Sequence, residues 1–299
     1  MLKKRTKYIS IKTIYHKQRI SNMNVPWIEK YRPTTLNDII CQDESINIFK
    51  NVLKTKKLPH LLLYGTPGTG KTSSVLAMAK ELFGPRRIHE RVIELNASDE
   101  RGINVVRGKI INFAKTMIGT EDIRYPCPPY KIIILDEADA MTKEAQSALR
   151  KVMEERSEIT RFCFICNYIN QIIEPINSRC VKIRFKPIHK QSIIDRLIMI
   201  SEKESMNIHH DALSSIAIIA NGDLRKGILL LQNIKYIENI NSINVITERN
   251  IYDMCNYITR DDMMTYINDI IINKNNIINV VKNIIRKGYV FNSIMLDFI

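Results

Sequence analysis

The chain has 299 residues, with 45 Lys and Arg against 31 Asp and Glu, a formal net charge of +14. That length can bury a real core and divide into two or three domains. No apolar run approaches the roughly 20 residues that a membrane-spanning helix needs, so no membrane partner is expected.

Residues 1–24 carry Lys3, Lys4, Arg5, Lys7, Lys12, Lys17 and Arg19 before the first acid, Glu29. This basic extension is expected to lack fixed structure. It reads as a tail for nucleic acid, a nuclear address, a transit signal or an artefact of start-site choice at Met23. About half of the excess charge lies in the remainder, which favours a polyanionic partner; solvated lysine faces are the alternative.

Residues 25–33, Val-Pro-Trp-Ile-Glu-Lys-Tyr-Arg-Pro, predict an ordered, non-helical segment. A helix is expected over 43–57 and a short buried strand over 58–64. Next come Gly65, Thr66, Pro67, Gly68, Thr69, Gly70, Lys71 and Thr72, the Gly-x-x-x-x-Gly-Lys-Thr phosphate-loop pattern. Glycines let consecutive backbone N–H groups wrap phosphate oxygens, and the helix that follows adds the positive end of its dipole. Lys71 suits the β- and γ-phosphates and the Thr72 hydroxyl suits Mg²⁺. The helix is expected to run to Phe83 and end at Gly84-Pro85.

A strand is expected over 91–96, a turn over 98–102 and a helix over 103–117. Lys131–Leu135 is a near-continuous apolar run, the pattern of a strand covered on both faces, and it ends in Asp136-Glu137-Ala138-Asp139. A helix over 142–155 and strands over 161–166 and 181–185 complete an alternating βα pattern. The fold class is therefore α/β, a doubly wound parallel sheet, over 25–187. Residues 188–240 read as a helical domain and 241–299 as a further helical segment.

The six cysteines, Cys41, Cys127, Cys163, Cys166, Cys180 and Cys255, are scattered, and no secretory signal is apparent, which points to reduced thiols inside the cell. Cys163-x-x-Cys166 has no second ligand pair and reads as part of a buried strand. Asp136 at a strand's C-terminal end can hold Mg²⁺, and Glu137 can deprotonate a water attacking a γ-phosphate. Asn167, ending the next strand, can hydrogen-bond that water. Arg179 and Arg225 are cations that can meet phosphoryl charge; each alone also reads as a solvated surface group.

The set Trp27–Pro33, Gly65–Thr72, Asn96–Gly102, Leu135–Asp139, Ser178-Arg179-Cys180 and Gly222–Lys226 resembles the small subunits of eukaryotic replication factor C, the sliding-clamp loader of the AAA+ class. The resemblance covers residues 24–240. Phe162–Tyr168 and Arg179–Pro187 look most like the subunit numbered four in the human complex.

The resemblance implies a hetero-pentamer with other subunits of the complex and an ATP at each subunit boundary. Thr72 and Asp136 would serve Mg²⁺, Glu137 the water, Asn167 would be sensor one and Arg225 sensor two. Arg179 would act in trans on a neighbour's nucleotide, and Val25 to Arg32 would line the adenine side. The complex opens the sliding clamp and loads it on primer–template DNA in replication and repair, in the nucleus. Arg101, Arg107, Lys109 and Lys143 are the candidates for tracking the DNA backbone.

Thr66 stands where the family usually has Pro, at a free position of the loop. The family's collar needs more helices than 247–299 supplies, so a truncated collar is expected. Two other readings stay open: a largely structural subunit with slow ATP turnover, and an AAA+ remodeller or chaperone of another class.

Overall fold

The computed structural model describes residues 25–97, 103–115, 124–241, 245–272 and 277–289. The extension 1–24 and the turn over 98–102, with Arg101, lie outside the described residues. The chain divides between Lys186 and Pro187 into two compact units.

The first unit is built on five parallel strands: β1 (Leu61–Gly65), β2 (Val92–Asn96), β3 (Lys131–Asp136), β4 (Thr160–Cys166) and β5 (Val181–Phe185). Their order is β2-β3-β4-β1-β5. Side chains alternate across the sheet, and each face has its own core. Leu61, Leu63, Ile132, Ile134, Cys163 and Ile165 point to one; Leu62, Ile133, Leu135, Phe162, Phe164 and Cys166 point to the other.

Cys163 and Cys166 therefore occupy opposite faces, because three residues along a strand reverse the direction of a side chain. They cannot converge on one metal. Burial pushes the Cys166 thiol up to about 12 and raises that of Cys163.

Helices cover both faces. α1 (Trp27–Lys30) precedes α2 (Asp43–Thr55), whose Ile46, Phe49 and Val52 enter the first core. α3 (Lys71–Arg91) supplies Val75, Met78, Ala79 and Leu82 to the same side. α4 (Ile103–Lys115) and α5 (Lys143–Glu155) cover the other side through Ile110, Leu149, Val152 and Met153. The four-residue α6 (Glu174–Asn177) follows β4. This is the expected doubly wound α/β sheet.

One local expectation is corrected and one is extended. The segment 25–33 is not wholly non-helical. Pro26 caps a helical turn, and its carbonyl accepts the Glu29 and Lys30 N–H groups at 2.9 and 3.0 Å. Proline is well tolerated there because the first N–H groups of a helix have no intrahelical partner. The helix that begins at Lys71 breaks at Gly84 as expected, since Gly84 takes a non-helical conformation (φ 74°, ψ 162°). Pro85, a good first-turn residue, restarts it, and the Leu82 carbonyl accepts the Cys127 N–H at 2.9 Å. Arg91 thus closes α3 and β2 begins at Val92.

The second unit is helical: α7 (Lys190–Lys203), α8 (His210–Ala220), α9 (Leu224–Asn241), α10 (Glu248–Cys255), α11 (Arg260–Ile272) and α12 (Ile277–Arg286). Ile193, Leu197, Ile216 and Leu231 are among its fully buried side chains. A Cβ at Gly227 would lie 3.6–3.8 Å from side-chain carbons of Ala220, Ile193 and Leu197, ordinary van der Waals distance, so α7, α8 and α9 run close together there. A short parallel bridge, Ile208 with Ile246, adds to the helices expected there. No helix among the described residues is long and apolar enough to cross a membrane.

Candidate functional site

In an open parallel sheet, ligands bind beyond the C-terminal ends of the strands, where the order of connection reverses. Here β1 lies between β4 and β5, so the chain leaves β1 for the far edge at β2 and returns through β3 and β4. The C-terminal ends of β1, β3 and β4 carry Gly65, Asp136 and Cys166-Asn167. Three motifs far apart in sequence meet at one edge.

The loop from Gly65 to Gly70 runs from β1 into α3. Gly65, Gly68 and Gly70 all have positive φ (144°, 68° and 94°). At Gly65 the requirement comes from packing as well as conformation. A Cβ there would lie 2.1 Å from the Phe185 carbonyl oxygen on β5. The Thr69 hydroxyl donates to the Thr66 carbonyl at 2.9 Å, and the Ser74 hydroxyl donates to the Gly70 carbonyl at 2.8 Å. Thr66 thus keeps its carbonyl in the loop's own network.

Lys71 is 7% exposed. Its ammonium donates to the Gly65 carbonyl at 2.8 Å, to Thr66 at 2.9 Å and to Asn167 Oδ1 at 3.0 Å. The last bond joins α3 to the end of β4 across 96 positions of sequence. One residue on, the Thr72 hydroxyl donates to Asp136 Oδ2 at 2.6 Å. A hydroxyl and a carboxylate so close offer a hard divalent cation two oxygen ligands. Glycine backbone, a buried ammonium, a helix N-terminus and this oxygen pair together fit a Mg²⁺-bound polyphosphate.

Glu137 is exposed and sits in the left-handed region (φ 54°), its N–H donating to Asp136 Oδ1 at 2.9 Å. That conformation turns the chain out of β3, so the Glu137 carboxylate is open to water. Arg32 bridges α1 and α3, reaching Ser73 Oγ at 3.4 Å and Glu29 at 3.2 Å. Val25 is exposed.

Arg179 follows α6 on the surface, where its guanidinium donates to Glu154 at 2.7 Å and to the Pro175 carbonyl at 2.7 Å. Arg150 also donates to Glu154, at 3.1 Å, and these arginines hold that carboxyl below its usual range, Arg150 first. The pairing of Arg150 with Glu154 is legible from i,i+4 spacing; the reach of Arg179 to the same acid is not.

Arg225 belongs to the second unit, exposed in the first turn of α9, where Asp223 accepts the Lys226 N–H at 3.0 Å. Lys109 on α4 and Lys143 at the start of α5 are exposed. Arg107 lies within α4, but its side chain is outside the described residues.

Reading by motif names Asp139 only as part of an acidic turn. In the fold it accepts the N–H groups of Asn167 and Tyr168 at 2.9 and 3.1 Å. The buried Gln146 likewise escapes motif reading. It donates to Met141 and Gln171 carbonyls at 3.2 and 3.0 Å and accepts the Ile173 N–H at 2.8 Å, fixing the segment beyond β4 on α5.

Residues 61–188 match the model of the AAA family, the ATPase family associated with various cellular activities. Replication factor C subunit 2 of Saccharomyces cerevisiae is 54% identical over 212 residues, which is 70% of this chain and 60% of that protein. Replication factor C subunit 4 of Homo sapiens is 52% identical over 210 residues, 70% of this chain and 58% of that protein. A protein of Acanthamoeba polyphaga mimivirus named as a replication factor C small subunit is 42% identical, over 92% of this chain and 84% of its own length. The chain thus spans about 60% of the length of the first two relatives. Among solved structures, the Thermotoga maritima RuvB Holliday junction branch migration motor superposes with a TM-score of 0.60 over 82% of this chain and 80% of that one, at 16% identity. At that identity the likeness speaks for the fold.

Proposed function

Because this chain belongs to the replication factor C small subunits, we propose that it binds and hydrolyses ATP as one member of a hetero-pentameric clamp loader. Its partners are the other subunits of that complex, the sliding clamp and primer–template DNA, and its work lies in replication and repair in the nucleus. The observation that carries the reading is the convergence of Lys71, Thr72, Asp136 and Asn167 within hydrogen-bond distance at one sheet edge.

The residues divide the work by their chemistry. The loop from Gly65 to Gly70 binds phosphate through backbone N–H groups, and Lys71 supplies a positive charge that water cannot easily screen. Thr72 and Asp136 hold Mg²⁺, which when bound draws charge from the phosphoryl oxygens. Glu137 takes the proton of the attacking water, and Asn167 orients that water. Val25 to Arg32 lie against the adenine, and Arg225 reports on the nucleotide from the helical unit. Arg179 serves the nucleotide of a neighbouring subunit, with Glu154 as the anion it leaves behind. Arg101, Arg107, Lys109 and Lys143 contact the DNA phosphates.

The test is ATP turnover of the purified complex with and without clamp and primed DNA, beside the same complex carrying Glu137→Gln in this subunit. The reading expects stimulation in the first case; in the second, nucleotide binding is kept and this subunit's share of turnover is lost. Equal turnover with and without Glu137→Gln would mark a subunit that holds ATP structurally. Stimulation by unfolded protein in place of DNA would mark a remodeller.

A further inference from the structure

We propose that Asp139 is a positioning residue that sets Asn167 against Lys71, an inference that rests on the ATPase reading above. The ladder between β3 and β4 ends at the pair Leu135 and Phe164. β4 nevertheless runs two residues further to Cys166, held on its other side by the pairing of Tyr64 with Cys166. On the β3 side one oxygen of Asp139 takes over from the ladder. It accepts the Asn167 N–H at 2.9 Å and the Tyr168 N–H at 3.1 Å. Hydrogen bonds to an ionised acceptor are about twice as strong as neutral ones, and two of them from consecutive residues fix both position and orientation of the backbone.

Asp139 is itself held firmly. It lies in the 3-10 turn Ala138–Ala140, closed by the Ala140 N–H to the Glu137 carbonyl at 2.9 Å and the Met141 N–H to Ala138 at 3.3 Å. Ala138 is buried in the core under the sheet. A rigid path therefore runs from the core through Asp139 to the Asn167 backbone, and from the Asn167 amide oxygen to the Lys71 ammonium at 3.0 Å. The turn that carries Asp136 and Glu137 also places the amide from the adjoining strand. If Asn167 orients the attacking water, its placement relative to Glu137 depends on Asp139, although Asp139 touches no reacting atom.

In the complex that hydrolyses ATP, Asp139→Ala in this subunit should lower its kcat by about 10–100-fold, the loss expected when a reacting group moves by about 1 Å. KM for ATP should stay within about twofold, since Lys71 and the loop keep their own bonds. A purely structural defect would move both. The decisive measurement is a double-mutant cycle with Asn167→Ala: if Asp139 acts through Asn167, the double variant turns over no more slowly than Asn167→Ala alone. Asp139→Asn keeps an oxygen acceptor for the two N–H groups and should recover most of the rate. Amide hydrogen exchange supplies a readout apart from turnover: Asp139→Ala should speed exchange at Asn167 and Tyr168, and Asp139→Asn should restore their protection. Full additivity in the cycle, or an unchanged kcat in an active complex, would overturn the inference alone. A wild-type complex that does not hydrolyse ATP would overturn the reading on which it rests.

Discussion

Gly65→Ala tests whether the first residue of the phosphate loop is glycine for its ligand or for its neighbour. Gly65 closes β1 and pairs with Phe185 at the end of β5. Its φ of 144° is a conformation that residues with a Cβ rarely adopt, worth about 1–3 kcal/mol of strain. The added carbon would also lie 2.1 Å from the Phe185 carbonyl oxygen, a backbone atom that cannot swing aside like a side-chain tip. Overpacking a well-filled site costs a further 1–3 kcal/mol, roughly. The two penalties sum to about 2–6 kcal/mol, the lower end applying if one backbone shift relieves both. For a unit of this size 1 kcal/mol moves Tm by about 2–4 °C, so a fall of roughly 5–20 °C is expected. The assay is thermal unfolding of the full chain by circular dichroism, beside Gly108→Ala. Gly108 lies inside α4 with open space where a Cβ would go, and alanine there should be neutral or up to about 1 kcal/mol stabilising. If Gly65→Ala melts within 2 °C of the parent chain, the packing argument is refuted.

Lys71→Ala removes the ammonium that joins Gly65, Thr66 and Asn167. Nucleotide titration should show binding abolished, and affinity within tenfold of the parent would remove Lys71 from the phosphate role. Arg179→Ala should spare this subunit's own affinity and slow turnover at the adjoining subunit; a defect confined to the mutated subunit would disprove action in trans. His60 predicts a pH dependence. Its Nδ1 accepts the Phe162 N–H at 3.1 Å, and burial, with Arg161 adding to it, pulls its pKa down from 6.5 to about 4. Between those values the unfolded chain binds the proton and the folded chain does not, so stability falls as pH drops from about 6.5 to about 4 and this contribution levels off below. Urea midpoints measured across that range should fall less steeply in His60→Gln, and an unchanged slope would refute the assignment.

Much of this was legible in the chain itself. The run Ile132–Leu135 reads as a covered parallel strand because it offers no polar face, and the glycines and Lys71-Thr72 at the mouth of α3 specify a phosphate loop by composition and spacing alone. Local rules placed the break at Gly84 correctly, but they did not reveal that Pro85 opens a fresh first turn running on to Arg91. They misjudged 25–33 because two prolines obscure a single helical turn. What the sequence could not decide is which distant groups share an edge. That Asn167 meets Lys71, that Asp139 takes two N–H groups from β4, and that Arg179 rests on Glu154 follow from strand order and register, and those are fixed by the simultaneous burial of both faces of the sheet. Even Gly65, plain in the motif, owes part of its identity to Phe185, 120 residues away in the chain and one strand away in space. Periodicity and spacing are local properties that a sequence carries openly; adjacency across a sheet is set only when the whole core closes.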